Sequence, residues 1–331
     1  MSQKFIFEDI TFKNASAYGL FIKQTDVIEI RNCKFFNNGW DGLGLDTINS
    51  SSNSGLLGYD STQSQLQAFY AGANASDGGG VLITKCTKPL IRQTRFENNF
   101  RGLKLEDCGI NGSGFIIENR SLQNIESGIY LGKSSSGGCQ NITVAINYCS
   151  YNANNGLLAI GGINNKFSQN EVKGNWNAGL CAWGSTNLTL RDSGLYDNNR
   201  SVYNGIGRIG DAKSSIQLND PYSKNLTYNT ETSFIAEILD TQVHYTGFIG
   251  SNTEKLGFLI VNAMGNVPDS DTNIIKIDDV GFIGQDYAID LSEVDISNLR
   301  LSLGDNSYQS IGLKAVKAPL LGKYSESYPY L

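Results

Sequence analysis

The 331 residues include one histidine, His244, two methionines and five prolines. No stretch approaches 18 consecutive apolar residues, so no membrane-spanning helix is expected. The opening MSQKFIFEDITFKN alternates like a strand and lacks the apolar core of a signal peptide. Charge is sparse too: 18% of residues are charged, and 26 Lys plus Arg against 32 Asp plus Glu leave a net charge of −6. That balance argues against a general nucleic-acid or anionic-membrane surface. The six cysteines show no CxxC spacing, which disfavours zinc and redox motifs, and no EF-hand loop or RTX nonapeptide is present. Without a proline-rich linker or a long charge run there is no compositional boundary, and residues 1–331 read as a single domain.

What is plentiful is glycine, 37 residues of it, together with asparagine, and both recur in a pattern. DGLGLD around Gly42 returns as YGLFIK at Gly19, GGVLIT at Gly80, RGLKLE at Gly102, SGIYLG at Gly128, NGLLAI at Gly156, AGLCAW at Gly179 and NGIGRI at Gly205. Weaker copies stand at Ser233, Gly257, Ala288 and Gly312. The residue after the anchor is apolar in all twelve copies, and the residue two further on in eleven, Arg208 being the exception. That is the alternation of a very short strand. Such strands cannot bury an apolar side alone, whereas coils stacked about 4.8 Å apart build a continuous interior. The expectation is an all-β solenoid, a parallel β-helix of about 12 coils. A leucine-rich repeat would need an L-x-x-L-x-L-x-x-N signature, which is absent. Insertions near 47–79 and 211–232 interrupt the period, and 317–331 form a short C-terminal tail.

On these repeats the chain, over roughly residues 5 to 316, resembles the right-handed parallel β-helix proteins of the pectate-lyase-like superfamily. The right hand belongs to that resemblance. Since the family includes polysaccharide lyases, hydrolases and phage tailspikes, it implies an extracellular or virion-associated protein with a polysaccharide or cell-surface glycan as partner. Such a protein binds, and by β-elimination or hydrolysis cleaves, an acidic polysaccharide. The alternative is a non-catalytic adhesin, tail-fibre or structural module. Polygalacturonase-like members carry an Asn-Thr-Asp, Asp-Asp and Gly-His-Gly set and alginate epimerase-like members an Asp-Pro-His; neither set is present. Whether the chain is an enzyme therefore stays open at this point.

Residues at equal offsets from the anchors should stack in columns. Asp41, Asp46, Arg101, Lys104, Glu106 and Tyr130 fall on one outward face of coils two to five, with Lys133 just past it and Trp183 further along. Asp46, Lys104 and Glu106 are the catalytic candidates; Asp41, Arg101, Tyr130, Lys133 and Trp183 are the substrate-binding ones. Two mechanisms fit. Asp46 and Glu106, two coils apart in one column, suit the carboxyl separation of about 6.5–9.5 Å used by inverting glycosidases. Alternatively Lys104 or Tyr130 acts as base while Arg101 neutralises a uronate carboxylate, and Tyr130 and Trp183 stack on sugar rings. The plain structural alternative is a solvated face in which Arg101, Lys104 and Glu106 pair among themselves.

No cofactor is expected, with calcium held by Asp41 and Asp46 plus Asp60 or Asp77 as the one candidate. Cys86 and Cys108, both six after their anchors, should be vertical neighbours and free thiols. His244 reads as packing. Apolar residues at outward positions of the last coils, Ile235, Leu256, Leu259, Val261 and Val316, point to a face covered by the tail or by a neighbouring subunit, hence a homo-oligomer such as a trimer. The chain starts within strand pattern without a capping helix, so it is expected to be part of a longer polypeptide or to have that end covered.

Overall fold

The computed structural model describes residues 4–39, 78–132, 138–152, 155–175, 178–183, 188–191, 193–196, 208–210, 235–239, 242–244, 256–262, 274–284, 286–294 and 300–317. Each coil runs through three strands, as in Leu103–Glu106, Gly114–Ile117 and Arg120–Leu122. The third strands stack into a ten-stranded parallel sheet. The first and second sets share an 18-stranded sheet, because Tyr18–Arg31 and Gly79–Arg92 each run through both faces. The described strands thus make an all-β solenoid of ten rungs, about 45 Å long at 4.8 Å per rung.

The expected count of twelve coils is corrected at two anchors. Leu20 pairs with Val81, so the Gly19 coil lies directly on the Gly80 coil and the Gly42 copy is not a rung between them. The chain departs after Gly39 and returns at Gly78, and these two glycines touch: a Cβ on Gly39 would lie 2.7 Å from the Gly78 carbonyl carbon. The Gly42 motif itself, within residues 40–77, lies outside the described residues. At Ser233 the copy belongs to a different face, since Ile235–Leu239 pairs with Leu188–Arg191 and Ile274–Asp278 on the second face.

Register also explains Arg208. Ala182, fully buried, sits opposite Ile209, so this coil is displaced by one residue and Arg208 moves off the inward column. In the last coil the displacement is three: Val316 sits opposite buried Ile289 and packs on the core instead of facing outward, while Leu313 is 61% exposed.

Glycine is required at the anchors by close approach. A Cβ at Gly80 would lie 2.6 Å from the Gly102 carbonyl, and one at Gly102 would lie 2.3 Å from the Gly128 carbonyl. No side chain fits between rungs there. The inward residues beside the anchors, Val81, Leu103, Ile129, Leu157 and Leu180, have no exposed surface. Stacked rings line another part of the interior, Phe12 on Phe35 at 4.8 Å and Phe35 on Phe96 at 5.4 Å.

The asparagines hold the corners. Asn38, Asn99, Asn124, Asn152 and Asn175 form a ladder in which each amide donates to the Oδ1 of the next at 2.8 to 3.2 Å. Each Oδ1 from Asn99 onward also accepts the backbone N–H of the ladder residue before it. The residue preceding each rung is left-handed, with φ of 55° at Asn37 and 53° at Asn98, which Asn tolerates. A second ladder, Asn119–Asn147–Asn170, turns the other corner.

All six cysteines are free and buried. The Cys86 N–H donates to Cys108 Sγ at 3.5 Å, as their equal offsets required. Cys139 joins them, its thiol donating to the Leu105 carbonyl at 3.4 Å. Burial pushes Cys86 up to about 12 and raises Cys108 and Cys149 above the ordinary thiol value. His244 lies on the third-face strand Gln242–His244. Among the described residues no helix is long and apolar enough to cross a membrane.

Candidate functional site

The first-face strands Leu103–Glu106 and Ile129–Gly132 are neighbours, with Lys104 opposite Tyr130 and Glu106 opposite Gly132. Alternation turns Leu103 and Leu105 inward and Lys104 and Glu106 outward. Lys104 Nζ meets Glu106 Oε1 at 2.6 Å along one strand, and the same ammonium lies 5.4 Å from the centre of the Tyr130 ring. The Arg101 guanidinium lies 5.2 Å from the Phe100 ring centre and 6.0 Å from that of Tyr130. Its Nε donates to Glu126 Oε2 on the next coil.

Two features depart from the expected open groove. Arg101, Lys104 and Tyr130 are 3%, 7% and 7% exposed, so the cluster is buried apart from the half-buried Glu106. The cations lie against aromatic rings and carboxylates, which exclude water from them. This face is covered at the Gly80 to Gly179 coils, where the outward residues Leu82, Leu158 and Cys181 are also buried, and again at the Ala288 coil, where outward Asp290 is 3% exposed. Of the residues expected to mark a covered face at the last coils, Ile235, Leu256, Leu259 and Val261 have side chains outside the described residues.

Glu126 is the residue that sequence reasoning missed. It is fully buried, and its Oε1 has no hydrogen-bond partner. It stands two before an anchor, off the columns that alternation identifies. An acid 25 residues from Arg101, one coil away, was the available signal.

The other predicted residues divide. Asp41, Asp46 and Lys133 lie outside the described residues, as do Asp60 and Asp77. The column through Glu106 reads Lys23, Thr84, Glu106 and Gly132, so no residue of the Gly42 copy stands two rungs below Glu106. The inverting pair that stacking suggested is not formed by register. Trp183 ends the strand Ala178–Trp183, opposite Ile160 and three rungs from Glu106, about 14 Å away. Among the described residues no group of three or more His, Cys, Asp or Glu gathers as metal ligands.

The returning chain meets the cluster at its edge, since a Cβ on Gly79 would lie 2.7 Å from the Arg101 carbonyl. Chemically the cluster offers two cations, two carboxylates and a phenol within two rungs. These can hold a ligand with both hydroxyl and acidic groups, and the spare oxygen of Glu126 can accept or hold a proton.

No curated protein sequence matches the chain. Among solved structures, an α-1,3-glucanase catalytic domain of glycoside hydrolase family 87, in complex with tetrasaccharides, aligns with a TM-score of 0.51 at 10% identity, over 95% of this chain and 60% of that one. The Dettilon tailspike protein aligns at 0.46 and 11% identity, over 93% and 61%. The Streptococcus pneumoniae surface protein and adhesin PfbA aligns at 0.45 and 11%, over 95% and 91%. The chain spans about three fifths of the length of the tailspike and glucanase chains. The model of the right-handed β-helix region family matches residues 1–136, 47–195 and 79–235 in overlapping segments. With ten parallel rungs and a family match over more than half its length, the chain belongs to the right-handed β-helix family.

Proposed function

We propose that this β-helix binds a polysaccharide against the coils of Gly102 and Gly128, with Glu106, Lys104 and Tyr130 as the contact set and the buried Arg101–Glu126 pair behind them holding the cluster in place. One observation carries the reading. From the Gly80 to the Gly179 coil the outward column runs Leu82, Lys104, Tyr130, Leu158, Cys181, and over these five rungs only Lys104 and Tyr130 are polar, side by side, before Arg208, Asp290 and Lys317 continue the column on later rungs. Buried ion pairs such as Arg101–Glu126 are weak stabilisers, because desolvation offsets their attraction, and apolar residues would serve the scaffold as well. A polar cluster the fold does not need is a functional candidate. The tetrasaccharide-bound glucanase supports a glycan ligand through the shared architecture.

The same proposal includes an acidic glycan, an extracellular or virion-borne setting, and assembly into a homo-oligomer, a trimer among the options. In the catalytic form of the reading Glu106, the half-buried acid of the cluster, handles the proton and Lys104 faces the developing charge. The non-catalytic form, an adhesin or fibre module, is favoured by the engagement of Lys104 with Glu106 and of Arg101 with Glu126. Incubation with a panel of acidic and neutral polysaccharides separates them, following binding, unsaturated products by ultraviolet absorbance, and new reducing ends. Products that persist in the Glu106→Gln and Lys104→Met variants would remove these residues from catalysis. Absence of any binding would remove the proposal.

A further inference from the structure

The third face carries a column that the site above does not use. Register places Lys34, Arg95 and Arg120 on consecutive rungs of the ten-stranded sheet, with Tyr148 on the next. All three cations are exposed. Like charges directly opposite one another destabilise a sheet, so the scaffold gains nothing from this alignment. Arg95 pairs with Glu97 on its own strand, while no ion pair involves Lys34 or Arg120 among the described residues. Two acids at the neighbouring corner make hydrogen bonds to amides and no ion pair with the column: Glu118 accepts from Gln93, and Asp9 accepts from Asn32. Around that corner Arg31 and Arg92 are matched by Glu8 and Glu29. At the other outward position of the same strands lie Phe36 and Leu122, both half-buried, on either side of Glu97.

We propose that this column is a second polysaccharide-binding surface, taking an acidic polysaccharide laid parallel to the solenoid axis. Cations repeating every rung, about 4.8 Å, meet carboxylates repeating along a uronate chain. Arg120 offers a bidentate fork to them, and Arg95 the guanidinium edge that Glu97 does not occupy. Phe36 and Leu122 give the apolar faces of the sugar rings a shallow strip to lie on. A nucleic acid fits less well, because the basic surface is one residue wide on a chain of net charge −6. The inference shares with the proposed function only its ligand class; the face and the residues are different.

The test uses the full chain, with polygalacturonate oligosaccharides as the acidic probe, dextran as the neutral one and oligodeoxythymidylate as a second polyanion. Polygalacturonate should bind the wild type and dextran should not bind this face. At a slope of about −0.7 per contact, three contacts give about a twentyfold loss of affinity between 50 and 200 mM salt. The K34Q/R95Q/R120Q variant, with an unchanged melting curve, should lose at least about tenfold in affinity and most of that salt dependence. The charge-conserving K34R/R95K/R120K variant should keep the salt dependence and lose only the part of the affinity that the guanidinium forks add. If the triple variant does not fold, R120Q alone should still weaken binding by about threefold.

Equal polygalacturonate binding by wild type and K34Q/R95Q/R120Q would overturn the inference, as would tighter binding of oligodeoxythymidylate than of polygalacturonate. Loss in an R101M/E126L variant with full retention in K34Q/R95Q/R120Q would sink this surface and leave the buried cluster standing. The reverse result would do the opposite.

Discussion

Replacing Asn124 with alanine tests what closes the corners. Asn124 Oδ1 accepts both the backbone N–H and the side-chain amide of Asn99, at 3.0 and 3.2 Å. Its amide donates to Asn152 Oδ1 at 2.9 Å and to the Phe96 carbonyl at 3.2 Å. Asn124→Ala strips two N–H donors on Asn99 of their acceptor and removes one hydrogen bond from the Phe96 carbonyl, in a corner where Asn99, Asn124 and Phe96 have no exposed surface. Asn152 Oδ1 keeps the backbone N–H of residue 124, so that oxygen stays bonded. At about 1 kcal/mol or more for each of two stranded donors, the loss should be about 2 kcal/mol or more. Urea unfolding followed by circular dichroism measures it, with exposed Lys166→Ala as the control. A loss within about 0.5 kcal/mol of the control would refute the ladder as a stabilising device.

Three further outcomes are expected. Arg101→Met leaves the fully buried Glu126 carboxylate without its ion-pair partner and should cost about 3–5 kcal/mol, most of which Arg101→Met/Glu126→Leu regains in the same urea assay. A single-variant loss below about 1 kcal/mol would show the pair to be solvated. Gly102→Ala should lower stability by about 2 kcal/mol or more and depress the melting temperature, since its Cβ would lie 2.3 Å from both the Gly128 carbonyl and Ser121 Oγ. The protein should lose stability in alkali. Cys86 is raised from the ordinary 9.0 to about 12 by burial, and Cys33, Cys108 and Cys149 move the same way. A raised folded-state value gives stability that is complete below the unfolded value and lost as pH climbs toward the folded one. Melting temperature should therefore hold up to about pH 8 and fall above about pH 9, less steeply in Cys149→Ala.

Much of the scaffold was legible because burial and alternation are tied together. Val81, Leu103, Ile129, Leu157 and Leu180 were marked inward by period two, and all are fully buried. The stacking of Cys86 and Cys108 followed from equal offsets, which by themselves allow a disulfide as well as the free thiols that are found. Cys139 did not, because residues between Gly132 and Cys139 hide its offset from Gly128. Register was less legible than existence. DGLGLD at Gly42 has the full local pattern, yet nothing local says whether a copy stacks or is looped out, and the Leu20 to Val81 pairing skips it. The Arg208 exception was the one visible sign of a slipped coil.

Lys104 and Tyr130 show a second limit: alternation reveals which side of the sheet a residue faces, and says nothing of what covers that side. Glu126 shows a third. It lies beyond the strand, where neither period two nor the anchor offset applies, so only the pairing in space with Arg101 identifies it.

Amide hydrogen–deuterium exchange, with and without the tightest-binding glycan of the panel, tests the central claim most directly because it needs no substitution in a buried cluster. The account predicts slowed exchange at residues 101–106 and 126–132, beyond any change at residues 34–36, 95–97 and 120–122. Protection that appears elsewhere while 101–106 and 126–132 stay unchanged would contradict it.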